Sequence, residues 1–392
     1  MVLHPAAVSV IITIIVLNIP LCRKRGLLVA LDVNQLAAGR VLRDSYERVS
    51  NEAMTTCPIA KTVDLTLAGK GCLTYQYILL TALVAKLTNP EIDMLSLQVD
   101  DSSQGAYAPR TLCKEVIYPF QKQILSNALN GNNDDPLVNK PARYLRLAKS
   151  NAARGDGRAV LNQLCDSLPA LTTPKDVQDT LDYLMTKLLQ IAKEKKERAD
   201  AVSTSVKDAN YQILYKFLSD LLDQGFGGAA LVLVTYALFL IHFPAHEGYK
   251  IIPHPVNQSG SSSRQRSDLD IEKNGSPFLG VELKDKPFTA NDVARAADTA
   301  LSSGLTSLLF VSGRHSGLPS VATYFSEVRK EYANKGFAVG VIEVDELMDF
   351  LLVTHPADID ASKVLGAVYD CVSEIGGTVE TQTWVYSKLR SL

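Results

Sequence analysis

Ser267–Lys286 reads SDLDIEKNGSPFLGVELKDK, and two short apolar alternations inside it decide the fold. Asn274-Gly275 is a strong hairpin signal, because both residues tolerate positive φ. The stretch therefore predicts two antiparallel strands joined across Lys273–Pro277. In the second strand, Phe278–Lys284, the side chains Leu279, Val281 and Leu283 fall on one face. Phe278, Gly280, Glu282 and Lys284 fall on the other. In the first strand Asp268 and Asp270 share a face, opposite Leu269 and Ile271. Folding the hairpin brings an aspartate beside Glu282, with Lys284 one pleat away. Two carboxylates held together are costly unless a cation lies between them. Mg²⁺ suits such a site, since it takes carboxylate oxygens while keeping waters and a substrate phosphate. The lysine can then orient an attacking water and balance transition-state charge. A solvated hairpin face with an ordinary Glu–Lys pair would give the same pattern.

The flanking segments give the hairpin a setting. Gly227–Phe243 is a strongly apolar run of helix length, and Tyr249–Val256 reads as a strand. A polar, Ser-rich loop, Gln258–Arg266, leads into the hairpin. Thr289–Ser303 reads as a helix and Leu305–Ser312 as a buried strand. The order is helix, three strands, helix, strand. In order and in motif position it resembles the PD-(D/E)xK nuclease superfamily. That resemblance implies an α/β core of a mixed sheet flanked by helices. Thirteen residues separate Asp268 from Glu282, which makes Asp268 the best match to the family aspartate, with Asp270 as its rival.

Bulk properties bound the rest. The 392 residues suffice for about two domains. With 40 Lys and Arg against 42 Asp and Glu, the net charge is −2, so no global basic character advertises nucleic acid. A local basic groove is still enough for DNA. The six cysteines, at 22, 57, 72, 113, 165 and 371, form no C-x-x-C or zinc-ligand spacing. They read as free thiols of a reducing compartment. The chain has no phosphate-binding G-x-x-x-x-G-K-[ST] loop. Ala6–Cys22 is apolar and precedes Arg23-Lys24-Arg25. It is short for a membrane span and carries Asn18 and Pro20, and its charge lies on the wrong side for a signal peptide. The expectation is a coding start near Leu27 and a cytoplasmic protein. A membrane anchor formed by Ala6–Leu21 is the rival reading.

The N-terminal half, about 27–225, reads as mainly helical, with 226–392 as the catalytic domain. Three arginines are candidates for DNA contact. Arg110 opens a helix after Pro109, with Tyr107 nearby. Arg143 lies in Val138–Arg158, the most basic window of the chain, where six cations stand against Asp156 alone. Arg314 follows the buried strand in Gly313-Arg314-His315-Ser316-Gly317. Helix entry, a solvated helix face and strand-end capping are their respective bland alternatives. The tail Lys193–Arg198 mixes signs and reads as a solvated face. His242 and His246 have the i, i+4 spacing of a metal pair, but Pro244 between them should break the helix.

Several stretches together resemble the SacI-type type II restriction endonucleases. They are GAYAPRTLC (Gly105–Cys113), DPLVNKPARY (Asp135–Tyr144), GGAAL (Gly227–Leu231), HPVN (His254–Asn257), SDLDI and VELKDKPFTANDV (Val281–Val293). Each is weak alone; their ordered conjunction over residues 30–320 is more specific. The resemblance implies Mg²⁺-dependent double-strand cleavage of DNA at a short palindrome, leaving 5′-phosphate ends. GAGCTC, the site of the enzyme that names the family, is a candidate sequence. It also implies a homodimer and a cognate DNA methyltransferase as functional partner. A sequence-tolerant repair or recombination nuclease, and a DNA-binding protein without catalysis, are the alternatives.

Overall fold

The computed structural model describes residues 30–69, 72–131, 134–138, 140–256, 267–316, 325–354 and 359–392. The apolar stretch Ala6–Cys22 and the loop Gln258–Arg266 lie outside the described residues. Among the described residues no single helix is long and apolar enough to cross a membrane.

The hairpin forms as the sequence predicts, with a tighter turn. Asn274 and Gly275 take φ of 52° and 76°, the pair of left-handed residues that a two-residue turn of matching twist requires. Strand β2 is Leu269–Lys273 and strand β3 is Ser276–Lys284. Pro277 therefore stands inside β3 rather than in the turn. It is tolerated because β3 pairs with its other neighbour only from Gly280 onward, so no ladder bond is lost there. A register shift follows, with Ile271 opposite Leu279 but Glu272 opposite Pro277, which leaves Phe278 as a bulge.

Five strands make one mixed sheet in sequence order. Strand β1 (Tyr249–Pro253) pairs antiparallel with β2, and β2 antiparallel with β3. β3 then pairs in parallel with β4 (Ser307–Ser312), and β4 in parallel with β5 (Ala338–Glu343). The helix Ala290–Ser302 makes the β3-to-β4 crossover that a parallel pair needs. It is fixed at its start by a capping box between Thr289 and Asp292.

Alternation along the strands builds two apolar layers. Leu269, Ile271, Val281, Leu283 and Val311 pack with the buried helix Ala229–His242. Leu308, Phe310, Val339 and Val341 pack with Val293, Ala297 and Ala300 of helix Ala290–Ser302 on the opposite face. The molecule is thus an α/β fold with helices on both sheet faces.

A separate apolar core, from Ala38 to Ala192, organises the mainly helical N-terminal part. The long helix Pro174–Ser205 joins the two. Val177 to Ala192 enter the first core and Val202 enters the second. Its polar tail is not uniformly solvated. Lys195 Nζ donates to Asn127 O at 2.6 Å and Asn130 Oδ1 at 2.5 Å, so this lysine anchors the loop before Gly131. Burial, with Lys122 nearby, lowers its pKa to about 8. Between about 8 and the ordinary value of 10.5 the unfolded chain binds more protons than the folded one, so this group makes stability rise with pH. In urea unfolding, the wild type minus Lys195→Gln difference is expected to move in favour of wild type from pH 8 towards 10. A difference that stays flat would contradict the burial assigned to Lys195.

Candidate active site

Lys284 and Ser312 end β3 and β4 as register partners, so the carboxyl ends of both strands open on one rim. A cleft of about 480 Å³ lies there, lined by Asp268, Lys284, Asp285, His254, His315 and the turn Gly225–Gly228. Open α/β sheets bind ligands at this end of their strands.

The hairpin positions the acids. Leu269 pairs with Val281, which brings Asp268 next to Glu282 on the face shared with Phe310. Asp268 Oδ2 accepts the Leu283 N–H at 2.9 Å. Lys284 Nζ donates to Glu282 Oε1 at 2.7 Å. Burial raises the Glu282 pKa above the usual carboxylate range, and the Asp268 charge adds to it, while Lys284 opposes both. Burial works against the Lys284 charge, but Glu282 and then Asp268 outweigh it and leave its pKa above the ordinary lysine value. Two acids and one lysine thus hold one another's charge in a half-buried cluster.

Asp270 shares the Asp268 face but lies one pleat towards the turn, opposite Gly280. It is buried. Ser267 Oγ donates to its Oδ1 at 2.7 Å and His254 Nε2 bonds its Oδ2 at 2.9 Å. The same serine hydroxyl accepts the Val281 N–H at 3.1 Å. Gly280 leaves room for this arrangement, since a Cβ there would sit 3.3 Å from Ser267 Oγ, as well as 2.8 Å from Leu305 Cδ1. Asp270 is closed into the sheet while Asp268 faces the cleft.

The remaining candidates sit elsewhere. Arg314 Nη2 and Nε bond Asp345, and Nη1 bonds Asp223 and the Ser219 carbonyl. Its guanidinium ties the end of β4 to two helices and is turned into the fold. Arg110 is exposed and forks onto Asp135 at 2.5 and 2.7 Å. Tyr107, beside it in sequence, is a core residue rather than a surface one. Arg143 is exposed, its Nε donating to the Val138 carbonyl at 2.5 Å. The basic window Val138–Arg158 is turn-rich and becomes helical only at Asp156. Acids from outside it neutralise two of its cations, Arg146 by Asp93 and Asp101, and Lys149 by Asp166. Among the described residues Lys140, Arg143, Arg154 and Arg158 carry no ion pair, and Arg158 is held instead by the Lys149 and Ala153 carbonyls.

Two features of the cleft escape a sequence reading. Asp285 Oδ1 accepts the backbone N–H of His315 at 3.0 Å, and its Oδ2 bonds His315 Nδ1 at 3.0 Å. Gly225, Phe226, Gly227 and Gly228 take φ of 67°, 45°, 63° and 98° in succession. Phe226 is the strained member, and it is held edge-on against Trp384. The helix ends at His242 and Pro244 separates it from His246, so the histidine pair forms no joint site.

Known families decide what this cleft belongs to. The SacI restriction endonuclease N-terminal domain matches residues 37–192, and the SacI restriction endonuclease C-terminal domain matches residues 208–314. Together they span more than half of the chain. This chain belongs to the SacI restriction endonuclease family. No curated protein matches it. The SacI C-terminal domain match contains the whole hairpin, including Asp268, Glu282 and Lys284. The N-terminal match covers Arg110 and Arg143. Membership of the SacI family makes the protein a restriction nuclease that acts on DNA.

Among the described residues no group of three or more His, Cys, Asp or Glu is arranged to hold a metal ion. Asp268 and Glu282 are a pair, not a cage. That donor set suits Mg²⁺, which is commonly held by one or two carboxylates with water and phosphate oxygens completing its shell.

Proposed function

We propose that the chain is a type II restriction endonuclease whose sheet is a PD-(D/E)xK core. The observation that carries this reading is the side-by-side placement of Asp268, Glu282 and Lys284, with Asp268 and Lys284 lining the cleft and Glu282 held behind them by Lys284. Asp268 and Glu282 would hold Mg²⁺, which supplies Lewis-acid stabilisation of the phosphate charge when bound. Asp270 orders the hairpin behind them through Ser267 and His254. Lys284, already oriented by Glu282, positions the attacking water in line with the scissile phosphorus. The products are 5′-phosphate and 3′-hydroxyl ends. Double-strand cutting at a palindrome, with GAGCTC as the candidate, needs two copies of the chain related by a two-fold axis. A cognate methyltransferase would protect the host, and both proteins would work in the cytoplasm. Arg143, with Lys140 and Arg154 in the same segment, contributes phosphate contacts. Arg110 and Arg314 reach DNA only by giving up the acids that hold them.

The test is cleavage of plasmid and phage DNA with Mg²⁺. Discrete fragments that EDTA abolishes support the reading; a smear would indicate a sequence-tolerant nuclease instead.

Metal binding has its own signature. Mg²⁺ at a hundredfold over its Kd is expected to stabilise the wild type by about 2.7 kcal/mol. Glu282→Gln, freed of the strained charge, is expected to melt above wild type without metal and to show no Mg²⁺-dependent rise. A variant that keeps the full rise would remove Glu282 from the metal site.

A further inference from the structure

We propose that His315, held by Asp285, is a further catalytic residue that donates the proton to the leaving 3′-oxygen. This rests on reading Asp268, Glu282 and Lys284 as the nuclease site. Asp285 directly follows Lys284, and Gly313 N–H bonds the Lys284 carbonyl at 2.8 Å. The ends of β3 and β4 thereby place Asp285 and His315 on the same cleft as Asp268 and Lys284.

The His315 ring is fixed from two sides. One Asp285 carboxylate takes both the His315 backbone N–H and ring Nδ1 at 3.0 Å. Gly313 has no side chain where Asp285 folds in; a Cβ there would collide with its Oδ1. On the far side the ring lies on Gly225, whose absent Cβ would be 3.0 Å from His315 Cε1. A carboxylate only accepts hydrogen bonds, so Nδ1 carries the proton and Nε2 is the atom left for the cleft. The Asp285 carboxylate is mostly shielded, at 10 % exposure, while the His315 side chain is 51 % exposed. A shielded acid holding a solvent-reaching imidazole is the arrangement of a proton-transfer pair. The other titratable groups around it are Lys284, Lys286, Asp268 and His254 on the cleft wall. Arg314, next in the chain, is already bound by Asp345 and Asp223.

The reaction balances simply. The water oxygen bonds to phosphorus as the P–O3′ bond breaks, and that electron pair stays on O3′. Doubly protonated His315 gives its Nε2 proton to O3′. The attacking water releases its proton to solvent, and solvent reprotonates the imidazole. The net change is phosphodiester and water to 5′-phosphate and 3′-hydroxyl.

A bridging sulfur tests this. A thiolate is a far weaker base than an alkoxide and leaves without a proton. The substrates are duplexes bearing the site at which the wild type cuts phage DNA, with either oxygen or sulfur at the scissile 3′ position. Single-turnover rates are compared within each substrate, so any direct effect of sulfur on metal binding cancels. His315→Ala is expected to slow the oxygen duplex by about a hundredfold and the sulfur duplex by less than about threefold. Retained sulfur cleavage also shows the variant is folded. Asp285→Asn should show the same sulfur-selective loss at smaller size. Equal slowing of both duplexes by His315→Ala, or slowing of neither, overturns the assignment. Lys284→Ala separates the two levels. If it is inactive on both duplexes while His315→Ala shows equal losses, only the His315 role falls. If it still cuts, the site reading fails and the His315 role with it.

Discussion

Lys284→Ala is expected to lower the single-turnover rate of DNA cleavage by about a thousandfold, with DNA still bound in Ca²⁺. The size follows from where the ammonium sits. Its Nζ is 2.7 Å from Glu282 Oε1, and Glu282 and Asp268 together hold its pKa above the ordinary lysine value. It therefore stays cationic while the phosphate gains charge in the transition state. A fixed cation in a half-buried cleft needs no rearrangement at that moment. Alanine removes it and leaves Asp268 and Glu282 facing each other. Ca²⁺ restores charge balance between those acids, so binding and melting in Ca²⁺ should stay near wild type. Loss of binding together with cutting would instead make Lys284 a DNA-docking residue.

Asp268→Asn and Asp270→Asn are expected to fail in opposite ways. Asparagine at 268 still accepts the Leu283 N–H but loses the charge that helps hold a cation. Cleavage should fall by about a thousandfold. Stability should be unchanged or higher, because the Asp268 charge, together with burial, pushes the Glu282 pKa up. Asp270 is 5 % exposed and satisfies both Ser267 Oγ and His254 Nε2. Alteration there strands a buried partner and should cost about 1–3 kcal/mol in urea unfolding. Its cleavage loss should track the loss of folded protein. If Asp270→Asn is well folded and inactive while Asp268→Asn cuts, the two aspartates exchange roles.

The local physics of the hairpin was legible because it is local. Asn274-Gly275 predicts its own turn, and period-two alternation predicts which side chains share a face. The helix read over Thr289–Ser303 forms as Ala290–Ser302. What a single strand pattern does not carry is depth along the strand. Asp268 and Asp270 look equivalent until pairing puts one at the open rim and the other opposite Gly280. Charge windows fail for a related reason. Val138–Arg158 looks unbalanced because Asp93, Asp101 and Asp166 lie outside it in sequence and beside it in space. Arg314 is claimed by Asp345 and Asp223, which no local reading connects to it. The Asp285–His315 pair needs β3 and β4 to end side by side, a fact of sheet register alone.

The most direct test of the nuclease site is to sequence the ends left on phage DNA by the wild type and by Lys284→Ala, side by side with Mg²⁺. The wild type should leave 5′-phosphate ends at one recurring short palindrome, and the variant should leave none. Ends without a common sequence, or the same ends from Lys284→Ala, would contradict this reading of the site.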